Sequence, residues 1–129
     1  MTENECQFGH KKEIMAVHDA MDVLNGKWKV SIISSICYYN KRRFSDILND
    51  VQGISNKMLS KELKELEINK LIKRTVLDTQ PISVQYQLTE YGMTLQTIIN
   101  NLAEWGIAHR KMIVGNRTDS QVADSVNLV

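Results

Sequence analysis

The sequence predicts an α+β fold that is mainly helical and carries one small β-hairpin. Three observations predict it. Apolar residues recur at helical spacing from Ile14 up to Leu66. The period then drops to two over LIKRTVL and SVQYQL. Helical spacing returns from Thr89 onward. The chain has 129 residues, which suits one core, and its single proline and six glycines leave helices largely unbroken.

The first helix is read over Lys11–Leu24, on the spacing Ile14, Val17, Met21, Leu24, with Asn25-Gly26 as its stop. A second, largely buried helix follows from Trp28, Ile32, Ile33, Ile36 and Cys37. Its β-branched residues would also suit a strand, but its length and the spacing of Trp28, Ile32 and Ile36 favour helix. Trp28 is a core anchor in this reading. Asn40-Lys41-Arg42-Arg43 reads as a basic turn. Phe44–Val51 reads as a short third helix with Phe44, Ile47, Leu48 and Val51 inward, and Ser45 or Asp46 near its start, where a cap or an acid is favoured.

Gln52-Gly53 turns into the stretch that organises the chain, GISNKMLSKELKELEIN. Leu59, Leu63 and Leu66 form one apolar stripe, and Ser55 precedes them as an N-cap. Lys57, Lys61 and Lys64 share a second face, beside Asn56 and Ser60. A lysine face by itself is common solvated surface. Here it sits on the second of two short helices joined by a glycine-containing turn, which is the helix-turn-helix pattern. The hairpin comes directly after, with Asp78-Thr79-Gln80-Pro81 as its turn. Helix, helix, helix, hairpin is the layout of a winged helix-turn-helix.

Thr89-Glu90-Tyr91 opens a last helix, capped by Thr89 and carrying Leu95, Ile98, Ile99, Leu102, Trp105 and Ile107. This is more apolar surface than one small domain buries. It packs back on the first helix of its own chain or is covered by a second subunit. The organisation expected is a flexible segment at 1–10, one domain at 11–114 and a flexible tail at 115–129.

Composition, 43% hydrophobic and 24% charged, is that of a globular protein. No apolar run approaches a membrane span, and the polar N-terminus lacks a signal-peptide centre, so a cytoplasmic protein is expected. Net charge is only +1, so an electrostatic case rests on local clustering. The histidines, His10, His18 and His109, form no set with a nucleophile. Cys6 and His10 alone make no zinc site, and no phosphate loop or dinucleotide fingerprint is present. No enzyme, metal or cofactor is expected.

Taken together, Asn25-Gly26-Lys27-Trp28, Arg42-Arg43-Phe44-Ser45-Asp46-Ile47, Gly53-Ile54-Ser55-Asn56-Lys57-Met58-Leu59-Ser60, Leu63-Lys64-Glu65-Leu66-Glu67 and Tyr86-Gln87-Leu88-Thr89-Glu90-Tyr91-Gly92 resemble the HxlR-type winged helix-turn-helix transcriptional regulators of bacteria and archaea. The resemblance runs from about residue 15 to residue 107. It implies a homodimer built from the terminal helices, with Met15, His18, Met21, Ile98, Leu102 and Trp105 at the interface. It also implies a near-palindromic operator and, as the commoner mode among relatives, repression. Redox-sensing members carry a reactive cysteine upstream of the GKW-type motif; that place falls here on Met15-Ala16. Cys37 is expected to be a buried, inert thiol. Cys6, near His10, Lys11 and Lys12, is the candidate redox thiol.

The expected mechanism puts the helix near 55–68 into the major groove. Asn56 pairs with adenine and Lys57 donates to guanine. Ser55, Ser60, Lys61 and Lys64 hold phosphates, helped by Arg42 and Arg43. Lys73 and Arg74 lie low on the hairpin, whose tip, Pro81-Ile82-Ser83-Val84, offers no cation. The competing reading is a winged-helix module that binds an effector or a protein and has no specific DNA site.

Overall fold

A computed structural model describes residues 9–115 of the chain. They fall into two compact units that divide between Met93 and Thr94.

The first unit holds five helices and a sheet. They are α1 (Lys11–Val23), α2 (Lys29–Tyr39), β1 (Lys41–Arg43), α3 (Phe44–Asp50), α4 (Asn56–Ile68), β2 (Ile72–Leu77), β3 (Ser83–Leu88) and α5 (Glu90–Met93). The second unit contributes α6 (Gln96–Gly115). This is the mainly helical α+β fold with a wing that the sequence predicts.

The core of the first unit is built from the stripes the spacing picks out. Ile32, Ile33 and Ile36 of α2, Ile47 of α3 and Leu59, Leu63 and Leu66 of α4 are fully or almost fully buried. Ile72, Tyr86 and Leu88 bring the inner face of the sheet onto them. Burying such a side chain contributes roughly 1.5–3 kcal/mol. α2 is apolar on most sides because it packs on α3, α4 and the sheet together. Phe44 and Leu48 are half-buried.

Three expectations are corrected. Lys41–Arg43 is a strand, not a turn. Its backbone pairs antiparallel with β3, Lys41 opposite Gln87 and Arg43 opposite Gln85, so the sheet has three strands in the order β1-β3-β2. A three-residue pairing is too short to show a period in sequence. Second, α3 is capped by neither Ser45 nor Asp46; Arg43 holds the N-cap position in an extended conformation and makes no side-chain cap bond. Asp46 does place an acid in the first turn.

Third, the last helix is two. α5 ends at Met93 and α6 begins at Gln96. Thr89 does cap α5: its hydroxyl accepts from the Gly92 N–H at 2.9 Å and donates to the Lys70 carbonyl at 2.6 Å. Gly92 is buried, and a Cβ there would collide with the Leu71 carbonyl. The close approach of α5 to the start of β2 thus requires glycine.

α1 has no buried residue. Its stripe residues Ile14, Val17 and Met21 are more than half exposed. Among the described residues of α6 only Ile99 is buried, while Ile98, Leu102, Trp105 and Met112 are exposed. Trp105 stacks on His109 of the same helix, ring centroids 4.9 Å apart.

Candidate nucleic-acid interface

The geometry of α4 follows from its first residues. Gly53 has φ +89, a value that strains any L side chain, and lets the chain reverse between α3 and α4. The Trp28 ring lies beneath this turn, with Lys27 over its face at 4.7 Å. Trp28 therefore supports the turn, half-buried, rather than filling the deep core. Ser55 is extended, and its hydroxyl oxygen accepts from the Met58 N–H at 3.1 Å. That bond satisfies one of the unpaired first-turn donors and starts the helix at Asn56.

With Leu59, Leu63 and Leu66 buried, the opposite face of α4 is outward. Asn56, Lys57, Ser60, Lys61 and Lys64 are all exposed there. Asn56 and Lys57 occupy the first turn, where side chains of an inserted helix reach furthest toward base edges. Ser60, Lys64 and Glu67 also flank a groove whose other wall is Arg74, Val84 and Tyr86 of the sheet. Burial pushes the Tyr86 phenol up, and the nearby Arg74 guanidinium only partly offsets this.

The setting of α4 is held by a contact that sequence reasoning missed. Lys29 of α2 is 2% exposed, yet charged. Its Nζ donates to carboxylates of both Glu62 and Glu65 on α4, and to Asn25 Oδ1 at 3.1 Å. Burial would lower the Lys29 pKa, but the hydrogen bonds and charges of the two glutamates hold it above the ordinary lysine value. The Lys29 hydrogen bond in turn holds the Glu65 carboxyl below the usual range. A sequence signal existed. Glu62 falls among Leu59, Leu63 and Leu66, and an acid on a buried stripe implies a buried cation.

The basic residues before α3 do not act as one group. Arg42 is engaged within the fold. Its Nε and Nη2 donate to Asp50 at 2.9 Å each, Asp46 lies at 3.6 Å, and its guanidinium stacks on Tyr39 at 3.7 Å. Ser35 donates to the same Asp50 carboxylate at 2.7 Å. Arg43 and Lys73 are exposed, on the sheet face opposite Arg74.

Met15, His18 and Met21 are exposed on α1, and Ile98, Leu102 and Trp105 on α6. Cys37 is half-buried, and burial raises its thiol pKa, which keeps it protonated. Cys6 lies outside the described residues. No helix among the described residues is long and apolar enough to cross a membrane.

Comparison with known proteins matches this arrangement. The HxlR-like helix-turn-helix family model matches residues 23–113. The HTH-type transcriptional regulator YtcD of Bacillus subtilis is 35% identical over 116 residues, covering 90% of each chain. A MarR-family transcriptional regulator from Porphyromonas gingivalis W83 superposes with a TM-score of 0.65 at 35% identity, over 70% of this chain and 88% of that one. The redox regulator HypR in its reduced form does so with a TM-score of 0.64 at 34% identity, over 76% and 96%.

Proposed function

This chain belongs to the HxlR-like helix-turn-helix family of transcriptional regulators, and from that premise we propose that it is a repressor acting as a homodimer on a near-palindromic DNA site. The observation that carries the reading is the outward face of α4. It presents Asn56 and Lys57 at the tip and Ser60, Lys61 and Lys64 behind, all exposed. The Ser55 cap and the Lys29 contact hold that face in one setting.

Asn56 has the paired donor and acceptor that match adenine, and Lys57 donates to guanine. Ser60, Lys61 and Lys64 hold phosphates, which fix register and carry no sequence information. The Ser55 hydroxyl accepts the cap bond and keeps its proton for a phosphate oxygen. Arg74 adds a cation across the groove from Lys64. Arg42 serves indirectly: its ties to Asp50 and Asp46 brace α3 against β1.

Apolar side chains left exposed on α1 and on α6 support self-association. Met15, His18 and Met21 on one helix and Ile98, Leu102 and Trp105 on the other are the interface residues of this reading. A two-fold pair of reading helices matches two copies of one half-site. A protein acting on the genome works in the cytoplasm of a bacterium or archaeon.

The test is fluorescence anisotropy with the DNA upstream of the protein's own gene, beside scrambled DNA, at several salt concentrations. Tight, sequence-preferring binding with a steep salt slope is expected. Equal weak binding to both, repeated with fragments selected genome-wide, would instead make the fold a protein-interaction or effector-binding module.

A further inference from the structure

The end of α4 keeps a lysine where glycine is the usual choice. Asn69 is the C-cap, and the next two residues close a Schellman turn. The Leu71 N–H donates to the Leu66 carbonyl at 3.0 Å, and the Lys70 N–H to the Glu67 carbonyl at 2.9 Å. Leu66 and Leu71, the apolar pair of such a motif, are both buried. Lys70 thus has φ +64, in the left-handed region, where a side chain costs strain that glycine avoids. The helix dipole alone would be served without strain by a cation in the last turn of α4, and that turn holds none.

The exposed Lys70 side chain rims a hollow of about 550 Å³ at the base of the hairpin. Lys73 on β2, Gln87 on β3 and Glu90, Tyr91 and Met93 on α5 line it too. Its walls are fixed. The Thr89 hydroxyl donates to the Lys70 carbonyl at 2.6 Å, the Thr89 N–H donates to the Leu71 carbonyl at 3.0 Å, and Gly92 packs against the same carbonyl. The hollow is therefore preformed, with a volume in the range of small-molecule sites. It shares no lining residue with the groove between α4 and the sheet, because Lys73 and Arg74 alternate to opposite faces of β2.

Two ammonium groups stand against one carboxylate here, so the charge balance favours a monoanion. The Gln87 amide can donate to an anionic oxygen. Tyr91 is 61% exposed and Met93 47%. An aryl ring and a thioether are surfaces on which another arene packs. Inorganic phosphate would use the lysines and leave those two side chains idle. A planar ring that carries a carboxylate uses all four. We propose that the hollow is a binding site for an aryl carboxylate, held by Lys70 and Lys73 at its charge and by Tyr91 and Met93 at its ring. Lys70 keeps its strained backbone because the site needs its ammonium. The occupant leaves the outward face of α4 open.

The test is a titration of the full-length protein with naphthoate, without DNA, followed by amide chemical shifts. An arene of this size on a shallow site should bind at about 1 mM or tighter. Saturable shifts confined to Lys70–Lys73 and Gln87–Met93 are expected. Naphthalene methanol lacks the charge and cyclohexane carboxylate lacks the arene; each, like inorganic phosphate, should bind at least about fivefold more weakly. Lys70→Gly should raise the melting midpoint by removing the strain, yet weaken naphthoate binding at least about threefold. Lys73→Gln should weaken binding as much and hold the midpoint. A Lys70→Gly protein with a raised midpoint and wild-type affinity overturns the proposal. So do shifts that do not saturate, or that centre on Lys64 and Arg74, on α1 or on α6. Phosphate that binds as tightly as naphthoate makes the hollow a plain anion site and overturns the aryl assignment. Should Lys70→Gly fail to fold, Lys73→Gln alone decides.

Discussion

The ammonium of Lys29, on α2, lies 2.5 Å from the carboxylate of Glu62, on α4, and the two side chains are 3% and 10% exposed. Glu65, one turn further along α4, shares the same ammonium. A single buried charge held by two carboxylates a turn apart resists both rotation and sliding of α4. The contact ties α2 to the helix that carries Asn56 and Lys57. Removing one partner leaves a charge without compensation in a low-dielectric site.

Lys29→Met is therefore expected to destabilise the fold by roughly 3 kcal/mol, read from urea denaturation. Lys29→Met/Glu62→Met, which removes both buried charges, should recover most of that loss. It should not recover the preference for specific over scrambled DNA. A double variant with full wild-type preference would show that the contact stabilises the fold without positioning α4.

The same contact predicts a pH window. The Glu65 pKa is depressed, so its contribution is present above the ordinary glutamate value, about 4.3, and is lost as pH falls through the folded value. The Lys29 pKa is raised, so its contribution is complete below the ordinary lysine value, about 10.4, and is lost as pH rises through the folded value. The pair is thus intact between about pH 5 and pH 10. Urea midpoints measured from about pH 6 down to pH 3 should fall less steeply for Glu65→Gln than for wild type. Parallel acid limbs would mean that Glu65 carries no such linkage.

On the outward face of α4, Lys61→Ala should weaken binding to all DNA sequences and reduce the salt slope by about one unit. Asn56→Ala should keep the slope and relax preference at one base position, worth about 1–3 kcal/mol of discrimination. Anisotropy against a panel of single-base variants separates the two. If Lys61→Ala leaves affinity and slope untouched, the assigned face is wrong.

For self-association, Leu102→Glu puts a charge where α6 exposes an apolar side chain. If α6 meets a second copy there, the substitution should shift the monomer–dimer equilibrium at least about tenfold toward monomer, a change of 1.4 kcal/mol or more. Analytical ultracentrifugation reads it directly. The melting midpoint of the monomer should hold, since Leu102 is half exposed. An unchanged sedimentation profile would place the interface elsewhere.

Periodicity was enough to read α1 to α4 and the β2–β3 hairpin, because an apolar stripe or face is written in the spacing whether it is buried, as on α2 to α4 and the hairpin, or left exposed, as on α1. Gly53 and Ser55 marked the start of α4 because the turn and the cap are local chemistry. By contrast, β1 is visible only through the strand it pairs with. The break between Met93 and Gln96 depends on how tightly Gly92 approaches Leu71.

By itself, then, the sequence determined which residues form α4 and which of its side chains face outward, since local spacing and capping decide both. Only the tertiary structure decided how the cations are divided. It bound Arg42 to Asp50, separated Arg43 and Lys73 from Arg74 across the sheet, and placed Lys29 between Glu62 and Glu65. Those outcomes depend on strand register and on pairs more than thirty positions apart, as Lys29 and Glu62 are. The physical reason is that the fate of a charge is set by the partner that desolvates or neutralises it, and that partner is chosen by the fold.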